Sequence, residues 1–388
     1  MIRDARIVAI GEATHGTSEF HLLRHRLVQY LVEHLDFRLI GIEAGWPECL
    51  DLNRYIVDGE GDPAAALASN GFWIWDVREF RAFIDWLRRY NQNRDRDQRV
   101  HLFGFDAITG RTATDIIWNL LDRVDPDHSR ATNSLRQDLS KLNPWLPPRE
   151  EEEPEAMSTA LADLAHHIST HEDRYRPLVS DEEWQNAFQA IAILNQVDIR
   201  RRSEEGVVHF NLRDRDMAAN MAWRLDQSPP GTKAVLLAHN GHVTRDSRGM
   251  FDPSVVTMGQ CLAKQFGDDY LSVGMMFGQG SFQAIVDINT GDPRLDEVSV
   301  DAPPAGSLDA ALMEATTAAA LLLDTRDLPP ALRAWLEGPL VTREAGAGFD
   351  GEPETHSTIH PAGRHDLLAF VRHTTRANPT PTGMRPPW

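Results

Sequence analysis

At 388 residues the chain is long enough for one large core or two domains, and 41% hydrophobic with 25% charged residues is the composition of an ordinary soluble globular protein. A formal charge of -19 offers no basic face and so argues against nucleic acid or an anionic membrane as partner. Two cysteines, Cys49 and Cys261, lie far apart and outside any CxxC pair, which gives no disulfide framework or zinc cluster and fits a reducing cytoplasm.

Met1 runs almost directly into a first apolar run, so no signal peptide is expected, and no stretch of about 18 apolar residues offers a membrane span. The run at 7–10, Ile-Val-Ala-Ile, is too short for a helix and is bounded by Gly11, which predicts a buried strand. Thr17 or Ser18 then caps a helix over about 18–35 with Phe20, Leu23, Leu27 and Leu31 on one stripe. A second strand at 39–42 ends in Glu43, which predicts a right-handed βαβ unit with parallel strands. A helix near 79–90 turns Phe80, Phe83, Ile84 and Leu87 inward, and a third strand at 100–105 ends in Asp106.

From about 112 to 226 helical periodicity dominates, with segments at 112–142, 155–172, 181–202 and 214–225. The proline-rich, acidic stretch at 143–154 predicts a solvated connection. A fourth apolar run at 234–238 ends in His239-Asn240-Gly241-His242. Residues 271–277 and 282–288, separated by Gly278-Gln279-Gly280-Ser281, read as a hairpin. An Ala/Leu-rich helix is expected over 307–323, a loop over 344–363 and a late strand over 367–371. The expected fold is therefore an α/β, parallel-rich central sheet flanked by helices, with an inserted, mostly helical subdomain and a C-terminal hairpin region. Its parts are core at 1–110, helical insertion at 111–230, core again at 231–377, and a tail from 378.

The four core runs end in Glu12, Glu43, Asp106 and His239. Parallel strands would bring these side chains, with His15 and His242, to the carboxyl edge of one sheet, where such folds place ligands. Each residue also has a plain reading: acids after strands cap helices, and a histidine in a turn can be a solvated bystander. A Glu12/His15 pair is the minimal equipment for general acid-base chemistry. No G-x-S-x-G elbow and no His beside either cysteine is present, no GxGxxG follows the first strand, and there is no Walker A sequence. Directly activated water remains, either through a carboxylate-supported histidine or on a metal held by the same residues.

Taken together, the ordered segments GEATHGTSEF (11–20) with Arg24, LIGIEAG (39–45), FWIWDVREF (72–80), FGFDA (103–107), RDRDMAANMAW (213–223), AHNGHV (238–243) and LLAFVRHTT (367–375) resemble the erythromycin esterase family over nearly the whole chain. The resemblance implies an α/β core with helical elaboration and a hydrolase that cleaves an ester or lactone through activated water, without metal or other cofactor. It implies His15 as general base, Glu12 as the acid that orients it, Glu43 as a second essential carboxylate, and His239 and His242 as the paired histidines of the site. Arg24 would be an active-site arginine suited to an oxyanion. Trp73 and Trp75 are candidates to line a substrate pocket, with Asp106 beside them, although tryptophans in these places serve as well in a core. Asp106, Arg213 and Asp214 belong to the motifs without an evident chemical role, and for the last two a salt bridge or cap is expected. The chain starts at its first strand, whereas the family leads one to expect a preceding segment. Two other classes use the same residues: a metal-dependent hydrolase resembling TIKI-type proteins, and a binding protein that keeps the pocket without turnover. A neutral His15 is required of the esterase, so its activity should fall on acidification.

Overall fold

The computed structural model describes residues 2, 4–69, 73–146, 155–288, 293–351 and 355–383. Phe72, most of the acidic proline-rich stretch (147–154) and the end of the tail (384–388) lie outside the described residues. The chain divides into two compact units, one of residues 1–43, 49–103 and 218–388, the other of residues 44–48 and 104–217.

The first unit is built on a mixed sheet. Among the described residues it has eight strands: β1 (Ile7–Ile10), β2 (Phe37–Gly45), β3 (His101–Asp106), β4 (Lys233–Leu237), β5 (Tyr270–Val286), β6 (Arg294–Val300), β7 (Ala320–Asp324) and β10 (Leu367–Thr374). Their order is β3-β2-β4-β1-β5-β10-β7, with β6 pairing β5. β1 sits in the middle, parallel to β4 on one side and to β5 on the other. All four of its residues are buried, without alternation, because both faces of a parallel sheet are covered by helices. The helices of this unit are α1 (Ser18–Leu35), α2 (Leu50–Asp58), α3 (Pro63–Ser69), α4 (Arg78–Asn91), α12 (Asn240–Val243), α13 (Met258–Phe266), α14 (Leu308–Ala315) and α15 (Pro330–Glu337). α1 ends where Asp36 takes a left-handed φ of 62° and returns its N–H to Leu31 O, which turns the chain directly into β2.

The second unit is helical: α5 (Arg111–Val124), α6 (Pro126–Ala131), α7 (Asn133–Leu139), α8 (Ala156–Thr170), α9 (Glu172–Tyr175), α10 (Asp181–Arg201) and the first half of α11 (Val207–Asp226). α10 is fixed at its start by a reciprocal capping box between Ser180 and Glu183. The helical segment expected over 112–142 consists of three helices, because Pro126 cannot continue α5 and Asp125 instead caps α6 by accepting the His128 N–H. No described helix is long and apolar enough to cross a membrane.

Three expectations for the C-terminal half need correction. Residues 271–288 are not a hairpin with its turn at 278–281: β5 runs straight through as one 17-residue strand, and the antiparallel hairpin is formed by its second half with β6. Gly280, at φ 130°, permits a close approach and not a turn, since a Cβ there would lie 2.1 Å from Thr374 O on the neighbouring β10. The helix expected over 307–323 stops at Ala315, and residues 320–324 instead pair with β10 as an edge strand. There Leu321 and Leu323 pack on a cluster of Met276, Leu308, Leu312, Leu336, Leu340, Leu368 and Phe370, so tertiary packing overrides helix propensity. Finally, the loop read over 344–363 contains β9 (His356–Ile359), antiparallel to β8 (Leu340–Arg343).

Candidate active site

Residues 11–16 form the loop from β1 to α1, and their backbone is tied to segments far along the chain. His15 donates its N–H to Gly346 O (3.1 Å), and Ala13 O accepts from Ala345 (2.8 Å) and Gly346 (3.2 Å). Gly16 O accepts from Gln283 (3.0 Å) and Ala377 (2.8 Å). Thr17 occupies the N-cap of α1, yet its hydroxyl bonds Thr14 Oγ1 at 2.5 Å, so it closes the loop instead of capping the helix. Across the sheet Asn240 donates its N–H to Glu12 O (2.8 Å), while its amide donates to Met275 O (2.8 Å) and accepts from Met275 N–H (3.0 Å). One buried residue thus registers the turn after β4 against the end of β1 through its backbone and against β5 through its side chain.

On this frame stand two carboxylate–histidine pairs. Glu12 Oε1 lies 2.8 Å from His15 Nδ1, and its Oε2 accepts from Arg24 Nη1. Burial of Glu12 alone would raise its pKa, but Arg24 and His15 outweigh it and hold the group below the usual carboxylate value. Glu12 is therefore an anion that can only accept, His15 carries its proton on Nδ1, and no described residue bonds Nε2. The second pair is Glu43 and His242, with Nε2–Oε1 at 3.3 Å, and Glu43 Oε2 also accepts the His239 N–H at 2.9 Å. The His15 and His239 rings lie side by side, tilted 53° to each other with centroids 5.2 Å apart.

His239 is fixed in one tautomer. Its Nδ1 is 3.1 Å from Gly241 N–H, a group that can only donate, so Nδ1 is the acceptor and the hydrogen sits on Nε2. Among the described residues Nε2–H has only Ala13 O as partner, at a loose 3.4 Å. Burial, with His15 and His242 adding to it, pushes the His239 pKa down to about 3, so the ring stays neutral well into acid. The pair of rings accordingly presents a lone pair on one nitrogen and an N–H on the other. That is the equipment for taking a proton from water while donating a hydrogen bond to an oxygen that gains charge.

Of the sequence candidates, Glu12, His15, Arg24, Glu43, His239 and His242 come together. Arg24 corrects one expectation. It is 2% exposed, Nη2 donates to Ile10 O (3.0 Å) and Ala238 O (2.5 Å), and Nη1 to Glu12, so it clamps β1 to the end of β4 from behind the carboxylate and is not open to a substrate. Trp75 is 1% exposed, donates its indole N–H to Glu43 O (2.9 Å) and packs on His21 and Phe80, while Trp73 is 5% exposed. Both are buried core groups, and Trp75 borders a small cavity with His21, Arg24 and Phe83. Asp106 belongs to the second unit, where it is fully buried and its two oxygens are taken by Arg200 (3.3 Å) and Arg213 (2.6 Å). It is the centre of an ion-pair network and not an open substrate ligand, and Arg213 has the salt-bridge place expected of it. Asn240 lay unremarked inside the AHNGHV segment, where its position between two candidate histidines was the available signal. Gly346, Gln283 and Ala377 gave none. Among the described residues no three His, Cys, Asp or Glu side chains form a group able to hold a metal ion.

A family model described as "Erythromycin esterase" matches residues 32–374, a stretch that contains Glu43, His239 and His242 and begins after Glu12, His15 and Arg24. The chain is 23% identical over 348 residues to erythromycin esterase type II of Escherichia coli, covering 80% of this chain and 79% of that one. It is 21% identical over 348 residues to the putative hydrolase YbfO of Bacillus subtilis (strain 168), covering 84% and 75%. Among solved structures, a Bacillus cereus protein superposes with a TM-score of 0.83 at 20% identity (98% of this chain, 91% of that one). An erythromycin esterase mutant in its open conformation superposes with 0.73 at 18% (98% and 93%).

Proposed function

The chain belongs to the erythromycin esterase family, and from that premise we propose that it hydrolyses a carboxylic ester or lactone with water activated by His15. Family membership supports a hydrolase; the particular reaction rests on one observation, the 2.8 Å Glu12–His15 bond that leaves His15 Nε2 unbonded among the described residues, in a ring centred 5.2 Å from that of His239.

In this reading His15 Nε2 takes a proton from water as the water oxygen attacks the carbonyl carbon. Glu12 holds the ring in the correct tautomer and offsets the imidazolium charge, with Arg24 keeping Glu12 ionised. His239 Nε2–H donates to the oxyanion of the tetrahedral intermediate. Collapse breaks the bond to the alkoxide, which takes the proton back from His15, and acid and alcohol leave; from a lactone the product is one hydroxy acid. Glu43 holds the His239 backbone and His242, so its part is to place the turn that carries both rings. We place the protein in the cytoplasm, since Cys49 and Cys261 are both free thiols.

The test is a panel of esters and lactones, macrolides among them, followed by mass spectrometry for the gain of one water. Hydrolysis by the wild type that is abolished in His15→Ala, with the melting temperature kept within a few degrees, is expected. Undiminished turnover in that variant assigns the base elsewhere. With no serine nucleophile in this mechanism, fluorophosphonate reagents are expected to leave the protein unlabelled.

A further inference from the structure

Gly346, between β8 and β9, lies next to both histidines. Its carbonyl accepts the His15 N–H, and its own N–H goes to Ala13 O. A Cβ built on it would lie 4.0 Å from His239 Nε2 and, its chain neighbours aside, within 4 Å of no other described residue, so among the described residues the side of Gly346 without a side chain faces open space beside His239 Nε2. The segment cannot retreat to make more room. Glu344 N–H donates to Thr355 O, Ala345 N–H to Ala13 O, Ile285 N–H to Ala347 O and Phe349 N–H to Ile285 O, all at 2.8 to 2.9 Å. A stretch of bonded backbone, bare of a side chain at Gly346, therefore forms a wall beside His239 Nε2.

We infer that Gly346 is a specificity-determining residue, its missing side chain leaving the room in which the group attached to the scissile carbonyl lies. A carbonyl oxygen held by His239 Nε2–H, with its carbon within reach of water on His15, has its acyl substituent directed at one flank of the histidine pair. A methyl or isopropyl group at 346 would occupy the space beside that N–H, and so would exclude bulky acyl groups before small ones. The inference rests on the reading of His15 as base and His239 as donor.

The experiment compares Gly346→Ala and Gly346→Val on p-nitrophenyl acetate and p-nitrophenyl pivalate, which differ only in the acyl group. In Gly346→Val, kcat/KM is expected to fall about threefold on the acetate and about 30-fold or more on the pivalate, the scale on which a pocket discriminates a few methyl groups. Equal loss on both esters overturns the inference. Gly346 has φ +60°, so strain must be separated from blockage. Gly363→Ala supplies the control: its φ is +84° and the nearest atom to a new Cβ is Asp246 Oδ2 at 3.9 Å, and the ratio of the two rates is expected to stay at the wild-type value. Should Gly346→Val not fold, Gly346→Ala carries the comparison with a smaller ratio.

Absence of turnover by the wild type on any ester would refute the base assignment and not the wall. The wall is then judged by carbethoxylation of His239 with diethyl pyrocarbonate, measured by peptide mass against the exposed His34. Slowing of about fivefold or more at His239 in the Gly346 variants, with none in Gly363→Ala, is expected where a side chain stands beside its Nε2. Equal rates in all of them overturn it.

Discussion

At Glu12 three influences compete, and their balance decides what the neighbouring histidine can do. Burial favours the protonated acid; the guanidinium of Arg24 and the bond from His15 favour the anion and win. Glu12→Gln keeps the shape but removes the charge that fixes the His15 tautomer. Turnover is expected to drop by about 10³ to 10⁴ with little change in KM, the loss seen when the orienting acid of a catalytic histidine is neutralised. Steady-state kinetics on an accepted ester checks this, and a loss confined to KM would assign Glu12 to binding. His239 supports a pH prediction. Its folded pKa, about 3, lies below the ordinary 6.5, so the unfolded chain binds a proton that the folded chain refuses. The stability it contributes is whole above 6.5 and is lost as pH falls toward 3. Between pH 7 and pH 4.5 the wild type is expected to lose on the order of 2 kcal/mol more than His239→Asn, read from denaturant melts. Parallel losses in the two proteins would mean that the ring is not held neutral.

At the scale of elements, the chain just after β10 is a strap across the site. Ser18 N–H donates to Thr375 O and Ala377 N–H to Gly16 O, so the strap flanks the loop that carries His15. Three acids fasten it: Glu19 accepts from Thr375 (2.7 Å), Glu79 from Asn378 Nδ2 (2.7 Å), and Asp76 from Thr380 (2.6 Å) and Thr382 (2.5 Å). Removing residues 378–388 leaves Glu79 and Asp76 without these donors. Turnover is expected to fall by about tenfold or more while far-UV circular dichroism stays unchanged, because misplacing a positioned base by an ångström costs on the order of 10². Full activity in the truncated chain would relieve the strap of this role. Asp309 makes a second, testable link. It accepts from Thr342 Oγ1 (3.2 Å) and Arg343 N–H (2.9 Å), which pins β8 to α14. Burial outweighs these bonds and pushes its pKa up to about 7. A carboxyl whose folded pKa is raised from 3.8 lowers stability progressively as pH rises from 3.8 to about 7. Asp309→Asn is therefore expected to raise the melting temperature at pH 8, by on the order of 2 kcal/mol in stability, and to leave it nearly unchanged at pH 4. A loss at both pH values would show that the carboxyl oxygens are needed for the contact whatever their charge.

For the molecule as a whole, the -19 charge is spread over a chain whose candidate site adds two carboxylates, Glu12 and Glu43, of which one is matched by a buried arginine. A divalent cation at this place would have to displace Arg24 from Glu12 or the His239 N–H from Glu43, and would compete with the proton that His15 must accept. Dialysis against chelator is accordingly expected to leave the rate unchanged, and millimolar zinc to inhibit or do nothing. Activity lost on chelation and restored by one ion at about one per chain would turn the same side chains into ligands.

The sequence by itself determined the local grammar of this fold: apolar runs closed by Gly11, Glu43 and His239, each followed by a helix start, are short-range patterns that need no partner to be read. It also determined which residue types meet, since parallel strands deliver their C-terminal ends to one edge whatever their order. Only the tertiary structure decided what those residues do there. Arg24 lies behind Glu12 because Ile10 O and Ala238 O claim its other nitrogen, and neither carbonyl is legible as a partner in the chain. Asp106 ended in a salt-bridge network because Arg200 and Arg213, about a hundred residues away, reach it first. The glycines at 278 and 280 looked like a turn and serve a neighbouring strand, and the helix former at 320–324 became an edge strand, because backbone pairing with β10 outweighs propensities of a few tenths of a kcal/mol per residue. The His15 loop takes its backbone bonds from residues 283, 345, 346 and 377, and contacts so remote in sequence leave no periodic trace along the chain.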